Sequence, residues 1–297
     1  MQQAAASAAG AQHFPPGALY VVATPIGNLA DITLRAIHVL ALVDAIACED
    51  TRHSAPLLRQ LGIEGKALVA VHQHNEREAA AGVLARLARG ERVAYVSDAG
   101  TPAISDPGAA LVAAAVAAGH RVLPIPGASS AAAALSVAGD AVVGPFTFVG
   151  FLPMRAGERA QALQALADAP HAQILFEAPH RIEALAVAVA EACGERSVTV
   201  CRELTKQFET VATMAASALP AWLAADSNRS RGEFVLVVHA RAAATADAER
   251  PAFDATLRTL LAALPLKQAV ALAAELTGAP RNAVYERALA LKNAADE

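Results

Sequence analysis

Five short stretches of this chain concentrate the residue types that chemistry needs. They are Thr24-Pro25-Ile26-Gly27-Asn28, Glu49-Asp50-Thr51-Arg52, His72-Gln73-His74-Asn75-Glu76, the pair Ser97-Asp98-Ala99-Gly100-Thr101-Pro102 and Ser105-Asp106-Pro107-Gly108, and Pro126-Gly127-Ala128-Ser129-Ser130. Glycine and proline let backbone amides approach a ligand, and the hydroxyls and carboxylates add fixed acceptors and acid–base groups. No GxGxxG follows the first apolar run and no GxxxxGK[ST] occurs, which counts against a dinucleotide dehydrogenase and a P-loop NTPase. His72 and His74 stand two apart and share a strand face. No third ligand is spaced to join them, so no metal is expected. Cys48, Cys193 and Cys201 form no CxxC pair and read as core fillers in a reducing cytosol.

The elements that must carry these stretches follow from the apolar pattern. Strands are expected at Leu19–Thr24, Ala45–Asp50, Leu68–His72, Arg92–Asp98 and Arg121–Ile125. Helices are expected at Asp31–Leu42, Thr51–Leu61, Glu76–Arg89 and Pro107–Ala118, with Asp106 as cap and Pro107 at the first helical position. This alternation predicts parallel βαβ units. Every chemical stretch then falls at the C-terminal end of a strand, where open α/β sheets bind ligands. Further on the pattern changes. Strands at Thr147–Phe151, Ile174–Glu177, Val198–Arg202, Thr210–Thr213 and Phe234–His239, with helices near Arg181–Ala192 and Ala216–Ala225, predict a mixed sheet. Residues 242–250 read as a linker, and Phe253–Leu264, Leu266–Leu276 and Arg281–Leu291 as three short helices.

The expected organisation is a tail at 1–17, an N-terminal α/β domain at 18–120, a second α/β domain at 121–241, a linker at 242–251 and a helical module at 252–297. The tail lacks the basic region and compact apolar core of a signal peptide. At 297 residues and 55% hydrophobic content the chain can bury a sizeable core, and the net charge of −4 argues against a general nucleic-acid binder. An aromatic content of 4% argues against a stacking platform for single strands. Ala-rich runs such as Ala109–Ala118 are too short to span a bilayer.

Asp98–Pro102, Asp106–Gly108 and Pro126–Ser130 together resemble the tetrapyrrole-methylase fold. Adding Thr24–Asn28, Glu49–Arg52, His74–Glu76, Phe176-Glu177-Ala178-Pro179-His180-Arg181, Arg202-Glu203-Leu204-Thr205-Lys206 and Arg231-Gly232-Glu233-Phe234, the chain resembles the ribosomal RNA small subunit methyltransferase I family. The resemblance runs from about Leu19 to Val238 and implies a class III methyltransferase of two α/β domains with a cofactor cleft between them. It implies S-adenosylmethionine as cofactor, the 2′-oxygen of a cytidine in the decoding region of 16S rRNA as target, a homodimer, and the cytoplasm. It places cofactor contacts on Pro25, Asp98, Ala99, Gly100, Thr101, Pro102, Ser105, Ser129, Ser130, Phe151 and Leu152, with Glu177 and His180 from the second domain.

Methyl transfer to a ribose hydroxyl needs alignment, dryness and removal of a proton. Lys206 is the candidate base, if repulsion from the sulfonium and burial depress its pKa; it also fits a surface lysine paired with Glu203 or Glu209. Glu49 and Glu76 fit ribose-orienting acids or helix-end acids. Arg52, His74, Arg202, Arg229 and Arg231 are candidate RNA contacts. Lys267, Gln268, Arg281 and Asn282 on the C-terminal helices fit an RNA grip or a packing brace. An acidic net charge favours a preassembled small subunit over naked rRNA. Two alternatives stand beside this reading. One is a same-fold enzyme acting on a tetrapyrrole or a protein; the other is a catalytically silent ribosome-binding protein.

Overall fold

Continuous apolar runs build two sheets whose central strands are buried on both faces. The computed structural model describes residues 1–72, 75–141, 144–241 and 253–293. The first sheet has the strand order β3-β2-β4-β1-β5, formed by β1 (Ala18–Val22), β2 (Ala45–Cys48), β3 (Ala67–Ala70), β4 (Val93–Val96) and β5 (Arg121–Ile125), all parallel. Successive side chains point to opposite faces. Tyr20, Ile46 and Cys48 therefore meet α1 (Gln2–Ala9), α2 (Leu34–Leu42) and α3 (Thr51–Gln60). Leu19, Ala47, Val93 and Tyr95 meet α4 (Glu76–Ala88) and α5 (Ala109–Ala117).

The second sheet is mixed, in the order β6-β7-β10-β8-β9. It comprises β6 (Phe146–Phe151), β7 (Ala172–Glu177), β8 (Ser197–Arg202), β9 (Thr210–Ala215) and β10 (Phe234–Val238). Only β6 and β7 pair in parallel. α7 (Ala156–Asp168), α8 (Ile182–Cys193) and α9 (Leu219–Ala224) cover one face, and α6 (Ser130–Val137) the other. As a separate unit, α10 (Asp254–Leu261), α11 (Leu266–Thr277) and α12 (Arg281–Asn293) pack Leu257, Val270, Ala273 and Val284 together. Buried Asp254 holds Arg258 at 3.0 Å and Arg287 at 2.6 Å.

Several expectations change. Residues 1–17 are no tail: Ala5 and Ala9 of α1 are buried, and the Gln2 side chain donates to the Leu61 carbonyl. β5 pairs with β1 along its whole length, so residues 121–125 belong to the first sheet and the boundary expected at 121 moves past Ile125. α6 and α7 were not anticipated. α7 buries only Leu166 and Ala167, too few apolar positions to print a helical stripe. The cap of α5 is Gly108, not Asp106. The whole of the expected linker, 242–251, lies outside the described residues.

Candidate functional site

The ends of the first sheet's strands are joined into one rim. Thr24 and Gly100 exchange backbone hydrogen bonds, at 2.9 and 3.1 Å. The Thr101 hydroxyl donates to the Ala128 carbonyl at 3.0 Å, and Asp98 Oδ1 accepts from the Asp50 amide at 3.1 Å. Ala103 and Ser105 take positive φ values of 65° and 72°, so the loop after β4 is tightly coiled. Such non-glycine strain survives only where surroundings hold it, and it clusters at ligand sites.

This rim faces the second sheet across a cavity of about 350 Å³. Of the cofactor residues expected from the sequence, Ala99, Gly100, Thr101, Ser105, Ser129, Ser130, Phe151 and Glu177 line it. Pro25, Asp98, Pro102, Leu152 and His180 do not. Ile26 lines it in place of Pro25, and Pro179 in place of His180, which is exposed. Leu152 is buried and gives its carbonyl to Arg181. Sequence reasoning also missed Ile104, Asp106, Phe176, Leu204 and Glu233, which complete the walls. Asp106, Phe176, Leu204 and Glu233 lie inside quoted motifs and Ile104 lies between two of them, so membership of the motif was the available signal.

The far wall rests on a strained turn. Glu203 and Thr205 have φ of 52° and 67°. The turn lies against Gly232, where an added Cβ would stand 2.5 Å from Glu203 Cγ. Lys206 reaches back to the loop after β1. A Cβ on Gly27 would stand 2.5 Å from its Cγ, and its ammonium binds Glu203 Oε1 at 2.8 Å and Glu233 Oε2 at 3.0 Å. Partial burial pulls its pKa down, but the two carboxylates outweigh it, and the net direction is up. The expectation of a depressed lysine pKa is therefore corrected: in this arrangement Lys206 is a fixed cation.

Carboxylates crowd the near rim instead. Burial, then repulsion from Asp98, raises Glu49. Burial, then repulsion from Glu49, pushes Asp106 up to about 6. The exposed His53 ring sits 2.8 Å from Asp98 Oδ2, which raises the imidazole. Glu76 stands apart. Its Oε1 accepts from the Gly108, Ala110 and Leu111 amides at 2.8, 2.9 and 3.2 Å, capping α5 from outside.

The expected RNA contacts are scattered. Arg52 is exposed and pairs with Asp50 at 2.6 Å. Arg202 is buried, donating to the Arg231 and Phe208 carbonyls, which corrects its assignment as a phosphate contact. Arg229 donates to the Trp222 carbonyl and lies 4.6 Å from the centre of that indole ring. Arg231 is exposed, and His74 lies outside the described residues. In the C-terminal unit Lys267, Gln268, Arg281 and Asn282 are all exposed.

Comparison with known proteins fits this architecture. Residues 18–220 match the family described as Tetrapyrrole (Corrin/Porphyrin) Methylases, and residues 244–292 match the RsmI C-terminal HTH domain. The methyltransferase CobJ superimposes with a TM-score of 0.58 at 20% identity, covering 76% of this chain and 95% of that one. A uroporphyrin-III C-methyl transferase from Thermus thermophilus, complexed with S-adenyl homocysteine, gives 0.52 at 15% identity, over 74% and 96%. These likenesses establish the fold. Two nearer relatives share the name Ribosomal RNA small subunit methyltransferase I. The one from Pseudomonas aeruginosa is 49% identical over 276 residues, 92% of this chain and 97% of its own. The one from Escherichia coli O157:H7 is 47% identical over 274 residues, 92% and 95%. Identity at that level, sustained through both sheets and the C-terminal helices, places the chain in the ribosomal RNA small subunit methyltransferase I family.

Proposed function

We propose that the chain methylates the 2′-oxygen of a cytidine ribose in the decoding region of 16S rRNA, using S-adenosylmethionine. The observation that carries this reading is the cavity itself. It joins a hydroxyl- and amide-rich rim to an aromatic wall, in a chain whose near relatives are named as small-subunit ribosomal RNA methyltransferases. Its volume is in the range of small-molecule sites. Thr101, Ser105, Ser129 and Ser130 supply hydroxyls for a carboxylate or ribose, and Phe151, Phe176 and Ile104 supply apolar walls. These residues fit S-adenosylmethionine, which when bound supplies an electrophilic methyl group on a sulfonium sulfur.

The chain's own residues must then orient the ribose, exclude water and take a proton. Asp106 lines the cavity and, at about 6, is ionised at neutral pH while remaining a far better base than an ordinary carboxylate. It is the proton acceptor in this reading. Lys206, held cationic by Glu203 and Glu233, sets positive charge beside the loop after β1, where a phosphate would pass. Burial, and then repulsion from Glu49, keep Asp106 basic. Arg52, Arg231 and the exposed cations of the C-terminal unit are the remaining RNA contacts. The assembled small subunit is the substrate, the enzyme acts as a homodimer, and it works in the cytoplasm. Among the described residues, no helix is long and apolar enough to cross a membrane.

The test is calorimetric titration with S-adenosylhomocysteine, then transfer of labelled methyl to small subunits from cells lacking the enzyme. Binding, and label mapped to a cytidine 2′-oxygen, is the expected result. No binding, or label on a base or on protein, refutes the reading.

A further inference from the structure

Glu177 stands at the end of β7. Its side chain is 0% exposed. Oε1 is satisfied, accepting from the Ala178 amide at 2.9 Å and facing Arg181 Nε at 3.2 Å. Oε2 is buried with no hydrogen-bond partner. A buried, unpaired carboxylate oxygen is costly to fold unless a donor completes it. Glu177 also lines the cavity, beside the aromatic wall. There Phe176 packs edge-on against Phe148 and Phe151, with ring centres 5.0 and 5.8 Å apart.

An aromatic wall beside one unpaired acceptor offers a nucleobase a ring face and a hydrogen-bond partner. We infer that Glu177 Oε2 accepts a hydrogen bond from the exocyclic amino group of a base bound in this cavity, and so selects amino bases over their oxo counterparts. The inference rests on the methyltransferase reading above. A carboxylate accepts from N–H and repels a carbonyl oxygen, so adenine is preferred to hypoxanthine and cytosine to uracil. Both amino bases carry the same donor edge. The adenine of the cofactor and the cytosine of the target are the two sources, and they are separable by experiment.

In the first arm the full chain is titrated with S-adenosylhomocysteine and with S-inosylhomocysteine, which carries oxygen in place of the amino group. In the second arm, single-turnover methylation compares small subunits bearing cytidine or uridine at the modified position. One of the two exchanges is expected to cost about tenfold to a hundredfold. A loss in the first arm assigns the amino group to the cofactor; a loss in the second assigns it to the target base. Glu177→Gln, whose amide can donate to an oxo group, should bring the ratio close to one or invert it. The inference is overturned if the unmutated chain treats both exchanges within twofold. It is equally overturned if a folded Glu177→Gln, verified by its melting temperature, keeps the full ratio. The comparison on the unmutated chain decides even if that variant melts early. Failure to bind S-adenosylhomocysteine and to methylate cytidine would instead sink the methyltransferase reading.

Discussion

Replacing Asp106 by Asn should stabilise the protein while disabling it. A rise in the Asp106 pKa from 3.8 to about 6 corresponds to about 3 kcal/mol between the two protonation states. Asp106 is partly exposed, so solvent screening reduces this to roughly 1–2 kcal/mol. The sign follows from linkage: the folded state holds this proton more tightly than the unfolded chain does. That contribution is fully present below pH 3.8 and is lost as pH rises through about 6. Asn carries no such charge. Asp106→Asn should therefore match the parent near pH 4 and exceed it by roughly 1–2 kcal/mol at pH 8, a gain of about 3–6 °C in melting temperature. Urea denaturation at pH 4, 6 and 8 measures the difference. Affinity for S-adenosylhomocysteine should stay within a few-fold, and single-turnover methylation should fall by about a hundredfold or more. A variant less stable than the parent at pH 8, or a stability difference that ignores pH, would show that burial and Glu49 do not strain this carboxylate. Full activity in Asp106→Asn would remove it as the proton acceptor.

Other perturbations separate the remaining roles. Glu76→Ala leaves three amides at the start of α5 without their acceptor and should cost about 1–2 kcal/mol in urea denaturation; an unchanged midpoint would remove the cap. Lys206→Arg should keep methylation within about threefold. Lys206→Met strands the largely buried Glu203 and should lower the melting temperature by several degrees; a hundredfold loss in both variants would return proton transfer to the lysine. Gly27→Ala drives a methyl into the Lys206 stem and should weaken S-adenosylhomocysteine binding at least tenfold by calorimetry, whereas near-native affinity would mean the contact relaxes freely.

The first sheet was legible because its strands are short apolar runs separated by full helices, and chemistry at strand ends follows from that topology alone. The loop after β4 was legible in part: Ala99, Gly100, Thr101 and Ser105 line the cavity, as a backbone-lined site needs glycine and small hydroxyl residues, whereas Asp98 and Pro102 do not. Less could be read where spatial neighbours are far apart in the chain. Arg202 stood in a motif with Lys206, yet it turns inward because β8 is flanked by β9 and β10, and its guanidinium satisfies carbonyls at 208 and 231. The Lys206 pKa was misjudged for the same reason: Glu233 lies 27 positions away and meets it only after β10 returns beside β8. Asp106-Pro107 has the pattern of a helix cap, but the acceptor that meets the α5 amides comes from elsewhere. Glu76, 32 residues away from Gly108, had already occupied that position.

The contact between Lys206 and Gly27 bears on how this fold can be recombined. Residue 27 belongs to the half built on the first sheet and residue 206 to the half built on the second, and the lysine stem occupies the space a side chain at 27 would need. A chimera joined between Ile125 and Phe146 would inherit one of these residues from each parent. Where the donor of the first half carries anything larger than glycine there, the lysine is expelled from its place, and Glu203 and Glu233 lose their shared cation. Compatibility of the halves is thus written into one small residue, and gene shuffling within the fold should succeed only between parents that agree on it.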